Sequence, residues 1–320
     1  MPTKLPVRKM GRIDFDATVL GLGCWAFGGA NWGGQEDADS LATLRAALEA
    51  GITHFDTAQG YGNGRSERLV GEVVAGNQEV FVATKFNTTT QDPASVLAVV
   101  DESRERLRRD CIDLFYLHWP RRGVDFRPAI EGLERARSAG KIRWIGVSNF
   151  SVEQLEQALQ AGRVDAHQFC YNLYWRYPER DVIPFAREHG IANVTYSSIA
   201  QGILTGKFGP NPSFPEGDLR PRTVLFDPDV YPHCYAGVEE LKKIAAEAGR
   251  ELVHLAIRWV AAQPGIDSVL VGARNPKQLQ ANVAAFEGEI APEIFARMTA
   301  VSEEVVRHIP DTGNIFRYYP

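Results

Sequence analysis

Ile52-Thr53-His54-Phe55-Asp56-Thr57-Ala58-Gln59-Gly60-Tyr61-Gly62 is an apolar run that stops at a carboxylate and continues into a tyrosine between two glycines. Two later stretches repeat the form. Val80-Phe81-Val82-Ala83-Thr84 stops at Lys85, and Ile112-Asp113-Leu114-Phe115-Tyr116-Leu117 stops at His118. Each run has the length of a buried strand, and each ends in a residue with proton or charge chemistry. A (β/α)8 barrel collects its active site at the carboxyl ends of its strands, so three strands ending this way predict that fold.

Outward from these three runs, strand and helix alternate about eight times without a break in composition, the rhythm of a parallel sheet wrapped by helices. The other strands are read at Val19 to Gly23, Ile142 to Val147, Ala166 to Tyr171, Ile191 to Thr195 and Ser268 to Val271. Helices are marked by Leu41, Leu44 and Leu48 ahead of Gly51, by Ser66 to Val74, by Asp92-Pro93, and by Ile130, Leu133 and Ala136 ahead of Gly140. Ser151 and Gln154 have the spacing of a capping box. A further helix is read over Arg180 to His189, and two more around Leu241 and Leu252. The segment from Gly206 to Tyr235 is rich in Pro, Gly and Asp and reads as a long functional loop. The opening through Val19 suggests a hairpin plugging one end of the barrel. The expected architecture is α/β: a single (β/α)8 TIM barrel domain over residues 1–320, with an N-terminal hairpin and additional C-terminal helices. No Gly-x-Gly-x-x-Gly follows the first strand, which weighs against a Rossmann sheet.

Composition bounds the partners. The 320 residues are 44% hydrophobic and 23% charged with a net charge of −5, so no basic nucleic-acid surface is expected. The four cysteines (Cys24, Cys111, Cys170 and Cys234) are widely spaced and read as free thiols of a reducing cytoplasm, with no metal site. No signal peptide and no membrane-spanning run is visible.

Taken singly, Asp56, Tyr61, Lys85 and His118 are weak evidence. Together they suit protonation of a developing alkoxide. A tyrosine is a poor acid at neutral pH. An adjacent ammonium lowers its pKa, and a buried lysine needs a carboxylate to stay charged. A histidine beside the pair can orient a carbonyl oxygen.

The motifs resemble those of the aldo-keto reductase family. Phe55-Asp56-Thr57-Ala58 with Tyr61-Gly62, Ser66-Glu67, Ala83-Thr84-Lys85 and Leu117-His118-Trp119-Pro120 carry the likeness. So do Gly140-Lys141-Ile142-Arg143, Gly146 to Phe150, Gln168 with Tyr171-Asn172, Tyr196-Ser197, Gly202 to Lys207, and Gly272 to Pro276 with Gln278 and Asn282. The resemblance implies NADPH-dependent carbonyl reduction, with Tyr61 as general acid, Lys85 and Asp56 assisting and His118 orienting the carbonyl. It implies that Tyr196 stacks on the nicotinamide, that Ser148, Asn149 and Gln168 hold its carboxamide, and that Gly23, Cys24 and Trp25 line the ribose. Ser197, Gly202, Leu204, Gly206 and Lys207 would hold the pyrophosphate, and Gly272, Ala273, Arg274, Gln278 and Asn282 the adenosine end.

At that end the residues have their own logic. Gly272, Ala273 and Arg274 precede a helix whose free N–H groups favour an anion, and Arg274 suits a 2′-phosphate. Some relatives have Arg where Gln278 stands and Glu where Ala281 stands, which leaves NADH use open; Ser198 replaces a usual proline. Trp25, Trp32, Phe86 and Trp119 are candidate walls for a small-molecule carbonyl substrate. The rival readings are a sugar or polyol dehydrogenase on the same fold and a non-catalytic, cofactor-sensing subunit.

Overall fold

Met10 and Ile13, between the two strands of an N-terminal hairpin, are completely buried. The hairpin pairs β1 (Val7–Lys9) with β2 (Asp16–Thr18) antiparallel. Its apolar residues pack with Phe81, Ala83, Leu114, Tyr116, Ala166, Ala192, Val194 and Leu270 in one cluster. Those residues come from the interior of a closed barrel, so the hairpin is its floor. The computed structural model describes residues 3–29, 34–87 and 92–317; Trp32 lies outside the described residues, as do Tyr318 and Tyr319.

The barrel is built from β3 (Leu20–Gly23), β4 (His54–Asp56), β5 (Phe81–Phe86), β6 (Ile112–Leu117), β7 (Ile142–Ser148), β8 (Ala166–Cys170), β9 (Ala192–Tyr196) and β10 (Ser268–Gly272). Every neighbouring pair is parallel, and β10 closes on β3 with Gly272 opposite Gly23. Side chains alternate in and out along each strand. On β5, Phe81 and Ala83 face the interior while Val82 and Phe86 join the larger cluster under the helices. On β6, Leu114 and Tyr116 face in while Phe115 and Leu117 face out. Gly146 on β7 leaves room for the Tyr116 ring, since a Cβ there would lie 2.3 Å from it.

Ten helices among the described residues surround the strands: α1 (Asp37–Glu49), α2 (Arg65–Val74), α3 (Pro93–Leu107), α4 (Arg127–Ser138), α5 (Val152–Ala161), α6 (Val182–Glu188), α7 (Tyr231–Glu247), α8 (Leu252–Ala262), α9 (Pro276–Ala284) and α10 (Pro292–Val306). Their starts obey local chemistry. The Asp92 side chain accepts from the Ser95 N–H ahead of α3, and Ser151 and Gln154 form the full capping box of α5. One boundary differs from the sequence reading. The loop expected to run to Tyr235 ends at α7, which begins at Tyr231. Pro232 there is a first-turn proline, where a missing N–H costs no hydrogen bond. No described helix is long and apolar enough to cross a membrane.

Met10→Ala should lower the unfolding free energy by about 2–5 kcal/mol, as large-to-small changes in packed cores do. Val7→Ala, at a position 58% exposed, should cost under about 0.5 kcal/mol. Equal urea midpoints for the two variants would remove the hairpin from the role of floor.

Candidate active site

The pleat that fills the barrel interior also delivers the chemistry. Lys85 is two residues beyond Ala83, Gln168 two beyond Ala166, and Tyr196 two beyond Val194. His118 follows the same parity after Tyr116, and Asp56 follows His54. Five interior columns therefore end at one mouth.

The Lys85 ammonium, wholly buried, lies 2.5 Å from Asp56 Oδ1 and 2.7 Å from the Thr57 carbonyl. It also reaches the Tyr61 hydroxyl at 3.4 Å. Gln168 Nε2 donates to the other Asp56 oxygen at 2.8 Å. Burial pushes the Asp56 carboxyl up, with Lys85 and Gln168 pulling it down. Burial alone would push Lys85 down, but Asp56 and Tyr61 carry it above the ordinary lysine value, so it remains an ammonium. For Tyr61 the outcome differs from the sequence expectation. Burial raises its pKa and only part of that rise is offset by Lys85. His118 is pushed well below its ordinary value by burial and then by Lys85, and is a neutral imidazole at pH 7. Its ring meets Tyr61 edge-on, centroids 5.8 Å apart.

Aromatic rings wall this group. Trp25 stacks on Tyr61 at 6.1 Å and Trp119 lies 6.2 Å from His118. Phe86 is not among them. It sits one step out of phase with Lys85, packs against Phe115 under the helices, and does not line the mouth. Phe316, from the C-terminal tail, fills that place. It contacts Trp25 and Trp119 edge-on and lies nearly parallel to Tyr196 at 6.4 Å. The sequence offers the Phe316–Tyr319 tail as a segment able to narrow access, but no hydrophobic period shows where such a tail goes.

Tyr196 forms a bed with the residues beside it. Its hydroxyl donates to Asn149 Oδ1 at 2.7 Å, and Asn149 Nδ2 reaches the His118 carbonyl and Ser148 Oγ. Asn149 holds a left-handed φ of +65°, and Ser197, Ala200 and Gln201 share that conformation. Such strain in non-glycine residues gathers at ligand clamps. Gly23 and Gly272 lie side by side at the ends of β3 and β10, where a Cβ on Gly272 would come 3.6 Å from the Gly23 carbonyl oxygen. Cys24 is buried behind them, its thiol pushed up by burial. Leu204 is buried in the turn Ala200–Thr205, and Gly202 and Gly206 take positive φ there.

Cations collect beyond that turn. Burial and the fields of Arg220 and Arg274 lower the Lys207 pKa, with Asp218 opposing. Arg220 pairs with Asp218 and, like Lys207, sits over the Phe208 ring. Arg274 bonds Gln35 Oε1 and the Gly34 carbonyl, while the Arg274 N–H donates to Gln278 Oε1. Asn282 donates to the Gly272 carbonyl. Ala273 is buried between them. Arg220, Gln35 and Gln201 were not legible as site residues; they lie on loops, where periodicity carries no information. Two adjacent strand-end glycines, an aromatic face and the cations Lys207, Arg220 and Arg274 fit a dinucleotide. Among the described residues no group of His, Cys, Asp or Glu is placed to hold a metal ion.

Other motif residues do scaffold work. Buried Glu67 accepts from Thr84 Oγ1 at 2.6 Å and pairs with Arg106, tying α2 to β5 and α3. Ser66 Oγ donates to the Cys24 carbonyl.

Comparison with known proteins agrees with this geometry. A family model described as "Aldo/keto reductase family" matches residues 19–303. The aldo-keto reductase YhdN of Bacillus subtilis is 38% identical over 278 residues, covering 83% of this chain and 84% of that protein. The NADH-specific methylglyoxal reductase of Escherichia coli is 30% identical, covering 93% and 98%. Among solved structures, the glycerol dehydrogenase AKR11B4 from Gluconobacter oxydans superposes with a TM-score of 0.84 at 32% identity, covering 95% and 96%.

Asp56→Asn strands the Lys85 charge in the interior. It should lower the unfolding free energy by about 3–5 kcal/mol, the cost of breaking a buried pair from one side. A loss under about 1 kcal/mol in urea, the scale of ordinary substitutions, would show that the pair does not carry the mouth.

Proposed function

The chain belongs to the aldo/keto reductase family and is an NAD(P)H-dependent oxidoreductase; on that premise we propose that it reduces an aldehyde or ketone to the alcohol, preferring NADPH, with Tyr61 as the general acid. The observation that carries this reading is the approach of the Lys85 ammonium to the Tyr61 hydroxyl, with Asp56 behind it.

A nicotinamide cofactor, when bound, supplies the hydride. The chain's own residues handle the oxygen. Tyr61 donates its proton as negative charge develops on the carbonyl oxygen. Lys85 stabilises the phenolate left behind, and Asp56 keeps Lys85 charged at no reorganisation cost. Neutral His118 donates a hydrogen bond that orients the carbonyl. Trp25, Trp119 and Phe316 keep water from the reacting atoms. In this reading Tyr196 takes the nicotinamide face, and Ser148, Asn149 and Gln168 take its carboxamide. Gly23, Cys24 and Trp25 flank the ribose. Ser197, Gly202, Leu204, Gly206 and Lys207, joined by Arg220, take the pyrophosphate. Gly272, Ala273, Arg274, Gln278 and Asn282 take the adenosine end.

A second reading is oxidation of a polyol on the same site; the glycerol dehydrogenase named among the structural neighbours favours it. A panel of carbonyls and polyols with both cofactors separates the two. Faster polyol oxidation than carbonyl reduction under matched conditions supports the second.

Tyr61→Phe should keep NADPH binding, read by fluorescence titration, and lose about 10²–10⁴-fold in kcat, the worth of a positioned acid. Unchanged turnover would exclude the acid role. Reduction needs Tyr61 protonated, so its rate should hold across neutral pH and fall as pH rises through the tyrosine pKa. His118 is held neutral, so no histidine limb should appear between about pH 5 and 8; an acid limb there would contradict its assignment.

Arg274→Ala should raise KM for NADPH about tenfold or more relative to NADH, the scale of a charge-assisted pair. Equal effects on both cofactors would remove the 2′-phosphate role.

A further inference from the structure

Two loops meet at the mouth. One follows β3 and carries Cys24 and Trp25; the other follows β4 and carries Thr57 and Tyr61. Ser66, in the first turn of α2, is completely buried and bonds to both. Its hydroxyl donates to the Cys24 carbonyl at 2.8 Å and accepts from Thr57 Oγ1 at 2.8 Å. Its N–H donates to the Tyr61 carbonyl at 3.2 Å. The Cys24 N–H donates in turn to the Asp56 carbonyl at 2.8 Å. These bonds close a ring: from Cys24 to Asp56, along the chain to Thr57, across to Ser66 and back to Cys24.

The ring encloses the peptide that joins Asp56 to Thr57. Asp56 Oδ1 and the Thr57 carbonyl are the acceptors that hold the Lys85 ammonium, at 2.5 and 2.7 Å. Ser66 therefore fixes the seat of Lys85 through Thr57, and the backbone of Tyr61 directly. On the other loop, Cys24 precedes Trp25, whose ring stacks on Tyr61. The two loops touch again without side chains, since a Cβ on Gly62 would run into the Gly28 carbonyl oxygen. The neighbouring Glu67 has a different reach, to Thr84 and Arg106.

We propose that Ser66 is a positioning residue for the proton transfer, holding the Tyr61 hydroxyl within reach of Lys85 and against Trp25 by tying the two loops together. The inference rests on the reductase reading and adds to it the residue that sets the acid's geometry. The Ser66 hydroxyl is taken up by Thr57 and Cys24, so it acts through Tyr61 and Lys85 and not on the reacting atoms. The geometry has little slack. Lys85 Nζ and the Tyr61 hydroxyl are 3.4 Å apart, at the outer edge of hydrogen-bond range. A small drift of either loop removes the bond that stabilises the phenolate. Loss of the Ser66 hydroxyl also leaves the Cys24 carbonyl and the Thr57 hydroxyl without their partner in a buried seam, which favours such a drift.

The test compares wild type with Ser66→Ala, Thr57→Val and Thr57→Ser, with kcat and KM separated. Val keeps the branched shape of Thr without its hydroxyl; Ser keeps the hydroxyl. Ser66→Ala should lower kcat for aldehyde reduction about 10- to 100-fold, the scale of a misplacement of up to an ångström. KM should stay unchanged, as for an interaction realised only in the transition state. Thr57→Val should do the same, and Thr57→Ser should recover most of the loss. Amide hydrogen exchange of the cofactor-free proteins gives a readout that needs no turnover. Residues 24–29 and 57–66 should lose protection in Ser66→Ala and Thr57→Val, while residues 7–18 at the barrel floor keep theirs. Wild-type kcat in Ser66→Ala, unchanged protection of the two loops, or equal kcat in Thr57→Val and Thr57→Ser would overturn the proposal. The last comparison decides even if Ser66→Ala does not fold. A wild type that reduced no carbonyl would end the reductase reading, and the exchange comparison would still decide whether Ser66 holds the loops.

Discussion

A lysine ammonium with no exposure to water is stable only against a carboxylate at contact distance, and the barrel mouth is built to meet that requirement. Asp56 comes from β4 and Lys85 from β5, neighbouring strands whose parallel register sets Asp56 opposite Ala83. Gln168 from β8, across the barrel, satisfies the second carboxylate oxygen. The pair thus makes the position of three strands a condition of charge balance. It also fixes the electrostatic field in which Tyr61 and His118 sit. Lys85 draws Tyr61 toward ionisation against the effect of burial, and helps keep His118 neutral. One ion pair thus acts on both the phenol and the imidazole, in each case favouring the less protonated form.

The two ends of the barrel divide the labour of stability and function. At the floor, Met10 and Ile13 seal the interior with apolar contact. At the mouth, the interior columns end in charged and polar groups, and loops supply what strands cannot. The loop after β9 holds three non-glycine residues at positive φ and leads to Lys207. The tail returns from α10 to place Phe316 against Trp25, Trp119 and Tyr196. Aromatic rings thus gather around Tyr61 and His118, and cations gather beyond the turn after β9.

The buried carboxylates show why a motif is not a list of catalytic groups. Asp56 and Glu67 lie close in sequence and both are buried beside a cation. Asp56 faces the interior and the mouth. Glu67 faces the seam between α2, β5 and α3, where it holds Thr84 and Arg106. Their chemistry is the same; their positions on opposite sides of the strand layer give them different duties.

The sequence by itself determined the barrel and the residues at its mouth. Strand periodicity, proline and glycine positions, and capping pairs are local signals, and here they agree from β3 to α9. The interior parity that brings Lys85, His118 and Gln168 together follows from the same pleat. Tertiary structure alone decided what local signals do not encode. It turned Phe86 away from the pocket because that residue is out of phase with Lys85. It started α7 at Tyr231, where a proline-containing stretch reads as loop. It recruited Arg220 and Gln35 from segments without period, and it placed the Phe316 ring of a tail whose course the sequence leaves open. It also left the Tyr61 pKa raised rather than lowered, because the desolvation of a phenol depends on everything packed around it, and no spacing of residues states how much that is.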